Sequence, residues 1–445
     1  MLGIVGPGAT YATAPLNDVF SDRGFAAALL QYEQALISVE EELGLVPQGE
    51  SAKLAAFRAD DFDLASATAA AASTSNPVAG LVEQLQHVCS FAHFGITSHD
   101  AWDVAHVLQL RSGVRLVCAD LSVALEHLAR LTETHADTPM AARTQGQTGA
   151  PMSLGLKFAT WLDELLRGAD RVERAMEDAA VLTVAGVVGT ASSFTVLNVD
   201  AGEVEARLAR MLALKTTHTP WFTSRDRFVD LAAAIGQICT LAGKVAHEVY
   251  TLQRTGIEEL AEGGAFGSLA NPQKTNPWLS QKMHGLAVVA RNLAATVADS
   301  AALPEGEREI GAAYAEAFGL AQLCLVGGRL AADLATLLGR LEVRVSTMRA
   351  HLKDDPALLS ESVSMVLSRA LGKKQGHALM KAVVARYRAG EPYDAAVRDA
   401  FRASGVELPP DVLALPGLFG WGPLRARETA ARARLWLQGQ RPDAA

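Results

Sequence analysis

Apolar residues recur at helical spacing along most of this 445-residue chain. In the first long run, residues 23–43, the apolar side chains fall on one helix face, and Gly44 follows as a helix end. The same periodicity marks five later segments, which span residues 100–134, 151–182, 226–260, 280–303 and 312–341. The pattern therefore predicts an all-α protein.

The predicted central helices are unusually long. Helices of about 25 to 35 residues extend ~40 to 50 Å at 1.5 Å per residue, and this length favours an elongated bundle. Segments 226–260 and 280–303 are apolar on more than one face, which a single bundle would leave in contact with water. Burial between subunits would cover the second face, so the pattern also predicts an oligomer.

The pattern changes after Pro356, where shorter helical segments alternate with glycine and proline. We therefore predict a separate small C-terminal helical domain. Residues 179–199 carry no charge, but glycine, threonine and serine interrupt the run too often for a lipid-facing helix. We interpret that stretch as a buried helix end followed by a loop.

Composition and charge narrow the choice of function. Hydrophobic residues make up 49% and charged residues 20%, a balance typical of a globular chain with a large core. With 40 Lys and Arg against 49 Asp and Glu, the net charge of −9 argues against nucleic-acid and membrane partners, whereas a small anion needs only a local pocket. The four cysteines form no C-x-x-C pair and no basic residue precedes Arg23, so we expect a cytoplasmic protein without a secretory signal.

Residues 263–277 join two long predicted helices and have the most unusual local composition. Three glycines and two prolines accompany Ser268, Lys274 and Asn276. Such a loop can simply connect two helices. In the functional interpretation, the glycines let the loop close over a ligand while the hydroxyl, amine and amide face an anion. The loop contains neither G-K-[ST] nor G-x-G-x-x-G, so it is not a known nucleotide motif.

Two further polar clusters precede predicted helices. Residues 93–100 include Thr97 and Ser98, whose position at a helix start favours either an anion site or a simple helix cap closed by Asp100. Residues 143–148 form either a polar turn or a second set of hydrogen-bond donors. The spacing of histidines and carboxylates fits no metal site, and the sequence contains no G-x-S-x-G motif, so we predict neither a metal nor another cofactor.

The order of these three clusters resembles the fumarase/aspartase superfamily, which includes adenylosuccinate lyase and argininosuccinate lyase. Residues 267–277 resemble the signature G-S-S-x-M-P-x-K-x-N-P, and residues 93–105 resemble H-x-G-x-T-S-x-D-x-x-D-T-A. Residues 143–151 resemble R-T-H-x-Q-x-x-x-P. The segment W-x-T-x-R-D at residues 221–226 is most similar to the 3-carboxy-cis,cis-muconate cycloisomerase branch, and the resemblance covers nearly the whole chain.

The resemblance implies a three-domain all-α fold, with an N-terminal helical domain of residues 1–99, a central long-helix bundle of residues 100–341 and a small C-terminal helical domain of residues 342–445. It also implies that the central bundles form a homotetramer core, with active sites where three subunits meet. It implies a reversible β-elimination on a succinyl-type polycarboxylate with a stable anionic leaving group, carried out without a metal or cofactor. One alternative is a lyase that releases fumarate from an amino- or nitro-succinate. Another is a helical scaffold that has lost its activity.

The resemblance also implies roles for individual residues. Ser268 is the candidate base, and Lys274 and Asn276 are the candidate ligands of the carboxylate whose charge grows in the transition state. The implied substrate-binding residues are Asn76, Thr97, Ser98, Arg143, Thr144, Gln145, Gln147 and Arg308. Arg308 has a second interpretation, as an exposed helix residue.

Several positions depart from the superfamily pattern. Gln145 stands where adenylosuccinate lyases have the histidine that protonates a departing nitrogen, so we expect a leaving group that is already a stable anion, such as carboxylate or nitrite. Leu269 and Asn271 replace a serine and a methionine of the signature, and Phe222 replaces the usual histidine of W-H-T-x-R-D. His99 is either an alternative acid or a histidine satisfied at a helix start.

Overall fold

The computed structural model describes residues 8–264 and 267–439, and helices dominate this part of the chain. The α-helices are α1 Ala14–Val19, α2 Asp22–Glu42, α3 Glu50–Ala55, α4 Leu64–Thr74, α5 Ala79–Val88, α6 Ser98–Thr134, α7 Leu154–Ala179, α8 Ser192–Thr195, α9 Ala201–Leu212, α10 Asp226–Gln253, α11 Trp278–Ser300, α12 Ile310–Gly339, α13 Val345–Asp354, α14 Ser360–Leu371, α15 Lys373–Arg388, α16 Tyr393–Ser404 and α17 Gly422–Leu437. The predicted all-α class and all six long helices are confirmed.

Four short strands form two antiparallel pairs. Strand β1 (Pro139–Thr144) pairs with β2 (Gln147–Ser153), and β3 (Leu260–Glu262) pairs with β4 (Leu341–Val343). The helix predictions that began at residue 151 and ended at residues 260 and 341 were wrong at those ends. The backbone there makes hydrogen bonds to a neighbouring strand instead of to the preceding helical turn.

The described chain falls into two compact units. The first contains the residues up to Leu121 together with Arg167–Gly243 and Met283–Leu334. The second contains Ser122–Leu166, Lys244–Lys282 and the residues from Ala335 onward. The three domains predicted from the sequence remain a prediction.

The core of each unit is made of aliphatic and aromatic side chains. In the first unit the largest fully buried side chains include Tyr32, Phe194, Trp221 and Phe228. A Cβ atom on Gly243 of α10 would lie 2.5 Å from Cβ of Ala287 on α11, so glycine is required for these two helices to pack this closely. The second unit has a separate cluster built from α14, α15 and α16; its buried members include Val363, Leu367, Met380, Val383, Tyr393, Val397 and Phe401.

Two helices, α10 and α12, are long and apolar enough to cross a membrane by length and composition. In the structure 61% and 44% of their apolar windows are buried. Core helices of soluble proteins meet the same criterion, so this finding is a weak indication of a membrane span. The uncharged stretch 179–199 does not continue α7, which ends at Ala179, and the interpretation as a helix end and a loop is confirmed.

Candidate active site

The start of α6 is held by the carboxylate of Asp100. Its Oδ1 accepts a hydrogen bond from Thr183 Oγ1 at 3.0 Å, and its Oδ2 accepts the backbone N–H groups of Gly186 at 2.9 Å and Thr97 at 3.2 Å. Burial raises the pKa of Asp100 to about 6, and these hydrogen bonds oppose that rise. The prediction that the helix starts at Asp100 was wrong by two residues, because α6 begins at Ser98; Asp100 closes the helix start from inside, by accepting the N–H of Thr97.

The loop before α6 has a defined backbone path. His93 has a left-handed φ of 65°, and its backbone N–H and Nδ1 contact the two carboxylate oxygens of buried Glu33 at 2.8 and 2.6 Å. Ser193 Oγ donates to the carbonyl of Gly95 at 2.5 Å. The loop therefore presents Thr97 and Ser98 in a fixed position, which a substrate-binding segment requires.

Asn76 joins this helix start from the turn between α4 and α5. Its Nδ2 donates to Ser98 Oγ at 3.2 Å, while its Oδ1 accepts the N–H of Val78 at 3.0 Å. The carbonyl of the preceding Ser75 accepts the hydroxyl of Tyr314 at 2.6 Å. Two residues that the resemblance implied as substrate ligands, Asn76 and Ser98, are thus brought together.

Arg308 lies in the same unit, in the segment just before α12. Its Nη2 donates to the carbonyl of Gly186 at 3.3 Å, and its guanidinium lies over the ring of Phe222, 3.7 Å from the centroid. Burial lowers the pKa of Arg308, and nearby Asp100 partly opposes this effect. The interpretation of Arg308 as an exposed helix residue was wrong, because the residue is half-buried and lies outside the helix.

The histidine beside this cluster, His99, is half-buried and its ring lies 5.5 Å from that of Trp102. Burial, and then the positive charge of Arg308, lower the pKa of His99, which favours the neutral imidazole. A neutral imidazole is a much weaker proton donor than an imidazolium. The lowered pKa therefore makes His99 a weaker candidate for the alternative acid.

Arg225, the arginine of the W-x-T-x-R-D segment, is a structural residue. Its guanidinium is buried, bonds Asp103 at 3.1 Å and makes two hydrogen bonds with Glu316, one of them at 2.9 Å. It also lies 4.8 and 4.7 Å from the ring centroids of Trp221 and Phe228. This buried group ties α10 to α6 and α12. Sequence reasoning missed Glu316, which lies 91 residues away and belongs to no motif.

In the second unit, the cluster at residues 143–148 forms the tip of the β1–β2 hairpin. Gln145 and Gly146 occupy the turn with left-handed φ values of 52° and 77°, as a two-residue hairpin turn requires. Arg143 forms a bidentate ion pair with buried Glu259 at 2.7 and 2.9 Å, and His351 Nδ1 contacts the same carboxylate at 2.7 Å. The exposed residues at the tip are Thr144, Gln145, Gln147 and Thr148.

Both ends of the signature loop are anchored. The N–H of Gly263 donates to the carbonyl of Arg340 at 3.2 Å, and a Cβ on Gly263 would lie only 2.2 Å from that oxygen. At the other end, buried Glu262 accepts the N–H groups of Leu279 at 3.1 Å and Ser280 at 2.9 Å, and thereby caps α11. The loop therefore leaves and re-enters the unit at nearly the same place.

Within the loop, the candidate base already accepts a backbone hydrogen bond. The N–H of Asn271 donates to Ser268 Oγ at 3.1 Å, and the N–H of Ser268 donates to the carbonyl of Lys274 at 2.9 Å. The side chain of Leu269 is 93% exposed, Lys274 is also exposed, and Asn276 is half-buried. A donor aimed at Oγ is what an alkoxide at this position needs. Residues 265 and 266 lie outside the described part of the chain.

The structure thus groups the predicted residues in two places. Asn76, Thr97, Ser98 and Arg308 belong to the first unit, and the hairpin tip and the signature loop belong to the second. Among residues 8–264 and 267–439, no group of three or more His, Cys, Asp or Glu side chains is placed to hold a metal ion.

The fold matches a known class. The solved 3-carboxy-cis,cis-muconate lactonizing enzyme from Pseudomonas putida aligns with a TM-score of 0.88 and 28% sequence identity, over 96% of this chain and 98% of that one. Its all-α architecture is that of the fumarase/aspartase fold. This agreement confirms the predicted fold class.

Sequence comparison places the chain more narrowly. A model of the lyase family matches residues 22–291. The chain is 36% identical over 388 residues to the 3-carboxy-cis,cis-muconate cycloisomerase of Pseudomonas aeruginosa, covering 84% of this chain and 83% of that protein. It is 33% identical over 387 residues to the nitrosuccinate lyase of Streptomyces davaonensis, covering 83% and 81%. The chain therefore belongs to the lyase family and is an enzyme of the fumarase/aspartase superfamily.

Proposed function

We propose that this enzyme catalyses a reversible β-elimination on a succinyl-type polycarboxylate with a stable anionic leaving group, and that it acts most like a 3-carboxy-cis,cis-muconate cycloisomerase. The observation that carries the proposal is the hydrogen bond from the Asn271 N–H to Ser268 Oγ. A serine hydroxyl becomes a useful base when its alkoxide is stabilised by donors that are already in place.

In this mechanism Ser268 removes the proton next to a substrate carboxylate. The negative charge passes into that carboxylate as an aci-carboxylate, and Lys274 and Asn276 stabilise it. The bond from the adjacent carbon to the leaving group then breaks, and its electron pair leaves with that group. For a lactone, the leaving group is the ring carboxylate, so elimination opens the ring and the reverse addition closes it.

The remaining site residues hold the substrate. Thr97 and Ser98 donate from the start of α6, with Asn76 orienting the Ser98 hydroxyl. Thr144, Gln145 and Gln147 project from the hairpin tip. Because Arg143 uses two nitrogens to bind Glu259, we propose that it acts mainly by holding that tip in place.

The exposed Gln145 supports a leaving group that needs no proton. Glutamine cannot donate a proton to a departing nitrogen, whereas carboxylate departs as a stable anion. Nitrite has the same property, and the 33% identity to a nitrosuccinate lyase favours nitrosuccinate as the second candidate substrate. An amino-succinate is less compatible with this residue.

We also propose a cytoplasmic homotetramer with shared active sites. Large apolar side chains remain exposed along one stripe of α12, at Ile310, Tyr314 and Phe318, and Val288 and Val289 remain exposed on α11. Faces of this kind are typical of subunit interfaces. Light scattering on the purified protein should give four times the monomer mass, and a monomer would contradict the assembly.

A panel of purified-enzyme assays tests the proposed activity. Ultraviolet absorbance would follow 3-carboxy-cis,cis-muconate, its lactone, nitrosuccinate and adenylosuccinate. We expect interconversion of the first two. Fumarate formation from nitrosuccinate alone would favour the second candidate, and inertness toward the whole panel would contradict the proposed activity.

A further inference from the structure

The contact between Phe222 and Arg308 is a close cation–π stack. The guanidinium carbon lies 3.7 Å from the ring centroid, well inside the ~6 Å limit for such contacts. Both side chains are half-buried. Partial exclusion of water makes the attraction stronger than it would be on an open surface.

Most hydrogen-bond donors of Arg308 have no acceptor among the described residues. Its Nη2 donates to the carbonyl of Gly186, while its Nε is buried without an acceptor among the residues that the structure describes. A guanidinium has five N–H donors in a rigid plane. The plane of Arg308 is therefore oriented mainly by the ring of Phe222.

A neighbouring arginine shows the contrast. Arg225 and Arg308 line the same small cavity, together with His99 and the carboxylates of Asp103, Glu309 and Glu316. Arg225 is neutralised by Asp103 and Glu316, whereas Arg308 has no ion pair within the described part of the chain. One cation in this cavity thus has two carboxylate partners, and the other keeps donors that no described side chain accepts.

Arg308 is connected directly to the start of α6. Gly186 accepts from Arg308 through its carbonyl and donates through its N–H to Asp100 Oδ2. The same oxygen accepts the N–H of Thr97. Gly186 therefore links Arg308 to the segment that carries Thr97 and Ser98, the proposed ligands of a substrate carboxylate.

We propose that Phe222 is a positioning residue that holds Arg308 as the ligand of an additional carboxylate, one that a plain succinate lacks. The inference rests on the proposed function, since it concerns the polycarboxylate bound at that site. Phenylalanine suits this role because its ring attracts the cation and never acquires a charge. A histidine at this position would become cationic at low pH and repel Arg308.

Isothermal titration with two probes tests the assignment. Tricarballylate has a succinate skeleton with a third carboxylate, and succinate is the matched probe without it. We expect Phe222→Leu to weaken tricarballylate binding about tenfold and succinate binding less than about twofold. Phe222→Tyr keeps the ring and should bind tricarballylate as the wild type does. With the natural substrate, Phe222→Leu should raise KM while kcat stays within about twofold.

The Arg308→Met background separates positioning from a general structural effect. There, Phe222→Leu should cause no further loss of tricarballylate binding, because the group that it positions is absent. Phe57→Leu is the control, since this half-buried ring in the same unit packs on Phe62, with centroids 4.8 Å apart, and contacts no substrate ligand. We expect it to bind both probes normally.

Two results would overturn the role assigned to Phe222 and leave the proposed function intact. Either Phe222→Leu binds tricarballylate like the wild type, or it weakens binding equally with and without Arg308. A wild-type protein that binds neither acid and converts no polycarboxylate would overturn the proposed function, and this assignment with it.

Discussion

The side-chain amide of Asn76 donates a hydrogen bond to Ser98 Oγ at 3.2 Å, and so connects the α4–α5 turn to the first residue of α6. Because Asn76 Oδ1 is held by the N–H of Val78, the amide orientation is defined. The serine hydroxyl is consequently directed by its neighbour before any substrate arrives, which reduces the entropy lost on binding.

The first prediction concerns this pair. Asn76→Ala should raise KM about tenfold, because the loss of one oriented hydrogen bond is worth ~1 kcal/mol and the hydroxyl also loses its orientation. Ser98→Ala should have a similar effect, and the double variant should be little worse than either single variant. Steady-state kinetics on all three would check this. Fully additive effects would mean that the two side chains act separately.

The second prediction concerns the proposed base. Ser268→Ala should lower kcat by about 10² to 10⁴, the range typical of a lost general base, with little change in melting temperature. Gln273→Ala, at an exposed position in the same loop, is the matched control and should keep near-normal turnover. A Ser268→Ala enzyme with the same rate as this control would show that another group removes the proton.

The third prediction concerns pH and Glu40, which is fully buried and has no hydrogen-bond partner for either carboxylate oxygen among the described residues. Burial, and then the charge of Glu33, raise its pKa from 4.5 to about 9. The native state therefore binds the proton more tightly than the unfolded state does. Stability contributed by the protonated form is complete below pH 4.5 and is lost as the pH rises toward 9.

Glu40→Gln should remove this pH dependence. The advantage of the variant in free energy of unfolding should grow by about 1.4 kcal/mol per unit between pH 5 and 8. Glu41→Gln provides a control of opposite sign, because backbone hydrogen bonds from Gly49 and Ser51 lower the pKa of Glu41. Its destabilisation should be greater at pH 8 than at pH 4. Urea unfolding between pH 4 and pH 8 would check both. Parallel curves of unfolding free energy against pH for Glu40→Gln and wild type would contradict the prediction.

The fourth prediction concerns the hairpin anchor. Arg143→Met should cost about 3 kcal/mol of stability, because it leaves the buried carboxylate of Glu259 without its bidentate partner. Arg207→Met, which breaks surface ion pairs with Glu42 and Glu203, should cost much less, because water screens those pairs. Thermal and urea unfolding would compare the two. Equal losses would mean that the buried pair contributes no more than surface pairs.

Turnover adds a further test of this anchor. We expect Arg143→Met to lower kcat even at temperatures where it is fully folded, since the hairpin tip that carries Gln145 loses its support. A folded variant with normal kcat would show that Arg143 contributes to stability and not to turnover.

The local parts of this protein were predictable from the sequence. Helix periodicity located α2, α6, α10, α11 and α12, because each turn repeats the same choice between core and solvent over many residues. The three polar clusters could also be recognised, because each is a short continuous stretch whose residues match a motif without any knowledge of the fold. Their order along the chain resembled one superfamily, and the comparisons confirmed it.

The tertiary structure decided which partners the cluster residues contact. Arg143 looked like a substrate ligand in its motif, yet its partner Glu259 lies 116 residues away. For Arg308 the sequence left two interpretations open, a substrate ligand and an exposed helix residue, and only the packed structure shows its contacts with Gly186 and Phe222. Strands β3 and β4 have only three residues each, which is too few to show the alternating pattern that marks a strand. Periodicity and motif order are local properties, whereas these pairings join segments far apart in the chain and arise only when the helices pack.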